Sequence, residues 1–68
     1  MKKILFVIQE KHTKEFLGWS GETYIDLFDI EHINYLESID DAMQEIKSLD
    51  EPENFEIKVV EISFEVLK

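Results

Sequence analysis

The segment Gly18-Trp19-Ser20-Gly21 is the nearest this sequence comes to a nucleophile. A nucleophile elbow has the form G-x-S-x-G, which exposes a serine on a strained strand-to-helix turn. Position 22 is Glu22, so the second glycine falls one place early, and no strand-turn-helix context surrounds it. The four residues read as a turn. His12 and His32 are isolated from each other and fall in no metal-ligand spacing, so both read as surface or strand residues.

Asp50, Glu51 and Glu53 crowd one stretch, with Asp40, Asp41 and Glu45 nearby in sequence. A calcium loop places its acids at set positions around a glycine turn, and that pattern is missing. Carboxylates paired for acid–base work need a cleft, for which so short a chain has little room. With no cysteine there is neither a disulfide nor a thiolate metal site. We therefore assign no catalytic residue, no metal and no cofactor, and expect a protein that binds rather than an enzyme.

The distinctive resource is charge. Sixteen acids stand against seven lysines and no arginine, for a net charge of -9. Residues 22–56 hold twelve of the acids and one base, Lys47. Such a surface repels nucleic acid, whose direct binding relies on Lys and Arg, and also anionic membranes. It suits a partner with a basic surface, or serves solubility alone. The apolar fraction of 44% is ordinary for a folded domain, so the charge does not imply disorder. The longest apolar run, Ile4 to Ile8, is far short of the ~20 residues of a membrane span. Gln9, Glu10 and Lys11 interrupt it too early for a signal peptide, so the expected location is cytoplasmic.

The elements that must position this charge can be read in outline for one domain, residues 1–68. Ile4-Leu5-Phe6-Val7-Ile8 has the continuous apolar character of a central strand covered on both faces. After the polar loop Lys11–Lys14, Glu15 to Trp19 returns as a second strand, and Thr23 to Phe28 extends the meander. Ile30 to Leu36 fits a helical period about as well as strand alternation; a strand is favoured because a helix start follows directly.

That start is Ser38 as N-cap, with Asp41 three residues on and acids at the positive end of the helix dipole. The helix runs to Leu49, with Ile39, Ala42, Met43, Ile46 and Leu49 on one stripe, and Pro52 ends it. The stripe is expected to meet Phe6, Ile8, Ile57 and Val59. Trp19, Phe16, Tyr24 and Tyr35 read mainly as core aromatics, with an interface anchor as the other role.

Phe55 to Leu67 closes the chain as a strand. Phe55, Ile57 and Val59 alternate on odd positions, then Val60, Ile62, Phe64 and Val66 on even ones. A period of two does not slip without an extra residue, which predicts a bulge or bend between Val59 and Val60. Thirteen strand residues at ~3.3 Å each reach about 43 Å. A compact domain of this length is about 28 Å across. The strand must bend, break or project, and a projecting apolar edge invites pairing.

The predicted fold is therefore α+β: a small antiparallel sheet of three to four strands with one α-helix packed on a face. The Met-Lys-Lys start with its apolar strand, the hairpin around Lys14-Glu15-Phe16-Leu17, the Ser38-Ile39-Asp40-Asp41-Ala42 helix start and the Ile57–Val66 strand resemble small acidic ββαβ accessory proteins of bacteriophages and mobile elements. That resemblance implies action on a host protein, and one use of such domains is inhibition of nucleases, restriction enzymes or CRISPR effectors. The leading expectation is a protein-binding inhibitor that occupies a basic nucleic-acid-binding surface by DNA mimicry, through Glu37, Asp40, Asp41, Glu45, Asp50, Glu51 and Glu53. The alternative is a self-assembling module that forms a homodimer through Val60, Ile62, Phe64 and Val66.

Overall fold

The apolar run at the start of the chain forms the strand around which everything else is arranged. In the computed structural model, which describes residues 1–67, β1 spans Lys2–Glu10, β2 Phe16–Leu17, β3 Thr23–Tyr24, α1 Ile39–Lys47 and β4 Phe55–Ser63, with a 3₁₀ turn at Pro52–Asn54. The four strands form one antiparallel sheet in the order β3-β2-β1-β4. The helix packs against β1 and β4. The fold is α+β, as the sequence predicts. Val7 and Ile8, neighbours that point to opposite faces, are both fully buried, as a strand covered on both sides requires.

The first hairpin loop is held by a carboxylate. Glu10 accepts from the backbone N–H groups of His12 (3.0 Å) and Thr13 (2.7 Å). Lys14 takes the left-handed conformation, φ 64°, that closes the loop. These hydrogen bonds, led by the one from the His12 N–H, hold the Glu10 carboxyl at a pKa of about 2, against an ordinary 4.5. A folded-state pKa depressed in this way contributes stability above the unfolded value and loses it as pH falls through about 4.5 toward about 2. Glu10→Gln is therefore expected to lower the urea midpoint at pH 7, and the gap to the wild type should close at pH 2. A gap that does not change with pH would contradict this role.

Strand β4 corrects one expectation. Its register with β1 is unbroken from Lys2↔Ser63 to Glu10↔Phe55, so there is no bulge between Val59 and Val60. Directly opposed residues of an antiparallel pair share a face. Ile57 shares one face with Ile8, whereas Val60 and Ile62 share the other with Leu5 and Lys3. The apolar parity switches because the cover switches. Leu49, just past the helix, lines a shallow cleft with Phe55 and Leu17 over the first face. Over the second face, Leu27 and Tyr35 lie beside Val60 and Ile62. Val59 falls at the changeover and stays 64% exposed instead of joining the core.

The strand is also shorter than expected, ending at Ser63 rather than Leu67. The molecule is elongated, 46 × 23 × 19 Å, which accommodates the β1–β4 ribbon without a bend. Phe64 is tied to Met1 by a reciprocal backbone pair of 2.7 and 2.9 Å. Val66 and Leu67 follow exposed.

Three further expectations are adjusted. β2 and β3 contain two residues each, shorter than the segments Glu15–Trp19 and Thr23–Phe28. Ile30–Leu36 is neither helix nor regular strand: a turn closes on Asp29, and Ile33 and Leu36 then make isolated bridges to Gly18 and Phe6. The helix stripe is covered only in part. Ala42 is fully buried and Ile46 and Leu49 half-buried, while Ile39 and Met43 are nearly half exposed because a nine-residue helix overhangs a narrow sheet. The buried core is Val7, Ile8, Leu17, Ile33 and Ala42.

Candidate functional site

The helix positions the acids that the sequence singles out. Ser38 adopts extended geometry and its Oγ accepts from the Asp41 N–H at 3.1 Å, the capping bond expected from the sequence. Asp40 and Asp41 then occupy the first turn, exposed, at the positive end of the dipole. At the far end Ser48 caps the helix, and the 3₁₀ turn beginning at Pro52 brings Asp50, Glu51 and Glu53 to the surface. Glu51 accepts from Asn54 Nδ2 at 2.6 Å.

These residues form two groups at opposite ends of α1, with half-buried Glu45 between them. The six helical residues Ala42–Lys47 lie between the groups and set them apart by roughly 9 Å of helix. That matches about three phosphate steps along one nucleic-acid strand. Glu37 is less available, since it pairs with Lys3 at 3.3 Å. Among the described residues Asp40, Asp41, Glu45, Asp50, Glu51 and Glu53 have no lysine partner, because the lysines that pair meet Glu37, Glu56 and Glu61. Among the described residues no three His, Asp or Glu side chains converge on a point able to hold a metal ion. Asp50 and Glu51 line only a shallow cleft with Leu17, Gly21, Leu49 and Phe55.

The self-association residues are divided by the fold. Val60 and Ile62 are half-buried and turn toward the loop over the second face; Phe64 is half exposed beside Met1, and Val66 is exposed beyond the strand. The available feature of β4 is its backbone. The bonded positions run through Asn54 (to Lys11) and Phe64 (to Met1), which sets the even residues of β4 toward β1. Ile57, Val59, Glu61 and Ser63 consequently direct their N–H and C=O groups outward, along the edge of the sheet.

A third acidic group escapes the sequence reading: Asp26, Asp29 and Glu31, interleaved with Leu27, Phe28 and Ile30. The loop is ordered by local bonds. Asp26 accepts from the Phe28 N–H at 2.9 Å, and the Tyr35 hydroxyl donates to the Leu27 carbonyl. His32 Nδ1 lies 2.8 Å from Asp29, whose hydrogen bond and charge keep the imidazolium form to higher pH than usual. Burial pushes the Tyr35 hydroxyl up, and the charges of Asp26 and Asp29 add to the shift. The only signal in the sequence is the alternation of acids with apolar residues that belong to no helical or strand period.

The segment Gly18–Gly21 is a turn, closed by the Gly21 N–H on the Gly18 carbonyl at 3.3 Å, with Ser20 exposed. Trp19 is exposed rather than part of the core. Tyr24 stacks on His32 with centroids 4.9 Å apart. Among the described residues no helix is long and apolar enough to cross a membrane. Fold and surface together define a small acidic α+β domain with an open sheet edge. No protein-family model, no curated protein and no solved structure matches the chain.

Proposed function

We propose that this domain is a protein-binding accessory factor whose acidic surface occupies the basic nucleic-acid-binding surface of a partner protein. The observation that carries the reading is the pair of unneutralised acidic groups at the two ends of α1. Complementary potentials of this kind set partner choice and speed encounter. The resemblance to acidic accessory proteins of bacteriophages points to nucleases, restriction enzymes and CRISPR effectors as the partner class.

The test is displacement of a fluorescent DNA duplex from the basic groove of such an enzyme. Loop acids are reversed as Asp50→Lys, Glu51→Lys and Glu53→Lys. First-turn acids are only neutralised, as Asp40→Asn and Asp41→Asn, because lysine there would oppose the helix dipole. The wild type should displace the duplex, and the combined variant should need about tenfold more protein or worse, a loss of ~1.4 kcal/mol, with its circular dichroism unchanged. Equal displacement by both, or none by the wild type, contradicts the proposal.

The outward backbone of β4 favours a second reading, in which a strand is added to the sheet edge. A second copy of the chain is one source of such a strand.

A further inference from the structure

The open edge of β4 and the ground beside it are best considered together. Residues Val60 to Ser63 form one wall of a groove of about 400 Å³, and Leu27, Phe28, Ile30 and Tyr35 form the other. Phe28 and Ile30 are 85% and 71% exposed, an unusual arrangement for two large apolar residues side by side on a small domain. The wall at Glu61 and Ser63 is also the part of the strand whose backbone N–H and C=O point away from the sheet. Glu61 lines the strand wall, where Lys2 pairs with it at 3.4 Å, and Asp26, Asp29 and Glu31 alternate in sequence with the residues of the apolar wall, Asp29 being bonded to His32.

We infer that β4 accepts an extended segment of a partner protein as a fifth strand, one in which apolar residues alternate with lysine or arginine. Backbone bonds to Ile57, Val59, Glu61 and Ser63 hold the segment. Its apolar side chains, on the face shared by Val60 and Ile62, fill the groove. Its alternating basic side chains fall on the opposite face, beside Glu61, whose one ion-pair partner among the described residues is the exposed Lys2 at 3.4 Å. Charge selects this occupant over a second copy, since each copy carries a net charge of -9 and two would repel.

This inference rests on the proposal that the protein is a binder of basic proteins, and adds where and in what conformation a segment is held. The probe is a heptapeptide of alternating lysine and valine, titrated onto the whole domain by calorimetry. Val59→Pro is the informative variant. The Val59 N–H takes no part in the ladder to β1, and proline is tolerated on an edge strand where its missing N–H faces solvent. The expected result is binding that weakens about tenfold or more in Val59→Pro. A peptide with its inward amides N-methylated makes the same test without altering the protein, and should also lose binding. A glutamate–valine peptide should bind about tenfold more weakly than the lysine–valine one.

Equal binding by Val59→Pro and by the N-methylated peptide overturns strand addition. Equal binding of the glutamate peptide overturns the charge preference. Light scattering that shows a dimer, dissociated by Val59→Pro, makes the occupant a second copy and overturns the choice of partner. Duplex displacement in the presence of failed peptide binding sinks this inference alone; peptide binding with failed displacement sinks the inhibitor reading alone.

Discussion

Ile8→Ala is expected to leave the domain only marginally folded at physiological temperature. Ile8 is 1% exposed, opposed by Ile57 and adjacent to Val7, which is buried on the other face. Truncating such a residue costs about 2–5 kcal/mol, part from lost burial and part from the cavity. A chain of 68 residues has roughly 3–10 kcal/mol of stability in total, at the usual value per residue. The loss is thus a large fraction of the whole. At ~4–8 °C per kcal/mol for a domain of this size, the Tm should fall by about 8–40 °C. Thermal denaturation followed by circular dichroism checks this. A shift of only a few degrees would mean that the two-faced cover of β1 contributes far less than its burial implies.

Gly18→Ala is the second large effect, and it arises from close approach rather than backbone strain. A Cβ at position 18 would sit 2.6 Å from the His32 carbonyl oxygen and closer still to Tyr24 Cε2. The Tyr24 ring can swing; the His32 carbonyl cannot, because it accepts the Trp19 N–H at 3.1 Å beside the Gly18↔Ile33 bridge. Forcing an extra carbon into such a contact costs about 1–3 kcal/mol. Restricting the unfolded chain returns about 0.4–1 kcal/mol of that. A net destabilisation of about 1–2 kcal/mol is expected in urea denaturation. The Tyr24 ring must leave its stack on His32, so the His32 ring protons should lose their ring-current shift. An unchanged midpoint with an unchanged His32 spectrum would contradict the packing described.

Much of this architecture is legible in the residues. Ile4 to Ile8 announces a central strand because five apolar β-formers in succession have nowhere else to go. Ser38 and the Ile39–Leu49 stripe announce the helix because its start, period and stop agree. The segments from Glu15 to Leu36 are poorly legible for a physical reason. They are held by single bridges and side-chain bonds, such as Gly18↔Ile33, Phe6↔Leu36 and Tyr35 to Leu27, which follow no periodic pattern. The parity switch at Val59–Val60 is a real signal with a different cause: it marks a change of covering element rather than an extra residue in the strand. The helix-end acids are visible in the sequence, but their division into two groups follows only from the helical residues Ala42–Lys47 between them. The Asp26–Glu31 group goes unnoticed because its importance depends on Val60 and Ile62, more than thirty residues later in the chain.

The two candidate surfaces use different physics. Attraction by Asp40, Asp41, Asp50, Glu51 and Glu53 operates through solvent and is screened over ~10 Å at 0.1 M salt. Strand addition at β4 relies on short-range backbone bonds and apolar contact, which screening leaves largely intact. The central claim, that negative surface selects the partner, is therefore tested most directly by titrating the domain onto a nucleic-acid-free basic-groove protein across a salt series. From ~50 to ~200 mM salt the affinity should fall by about tenfold or more, and much less for the variant with its helix-end acids removed. An affinity that stays level for both proteins across that range would contradict the account.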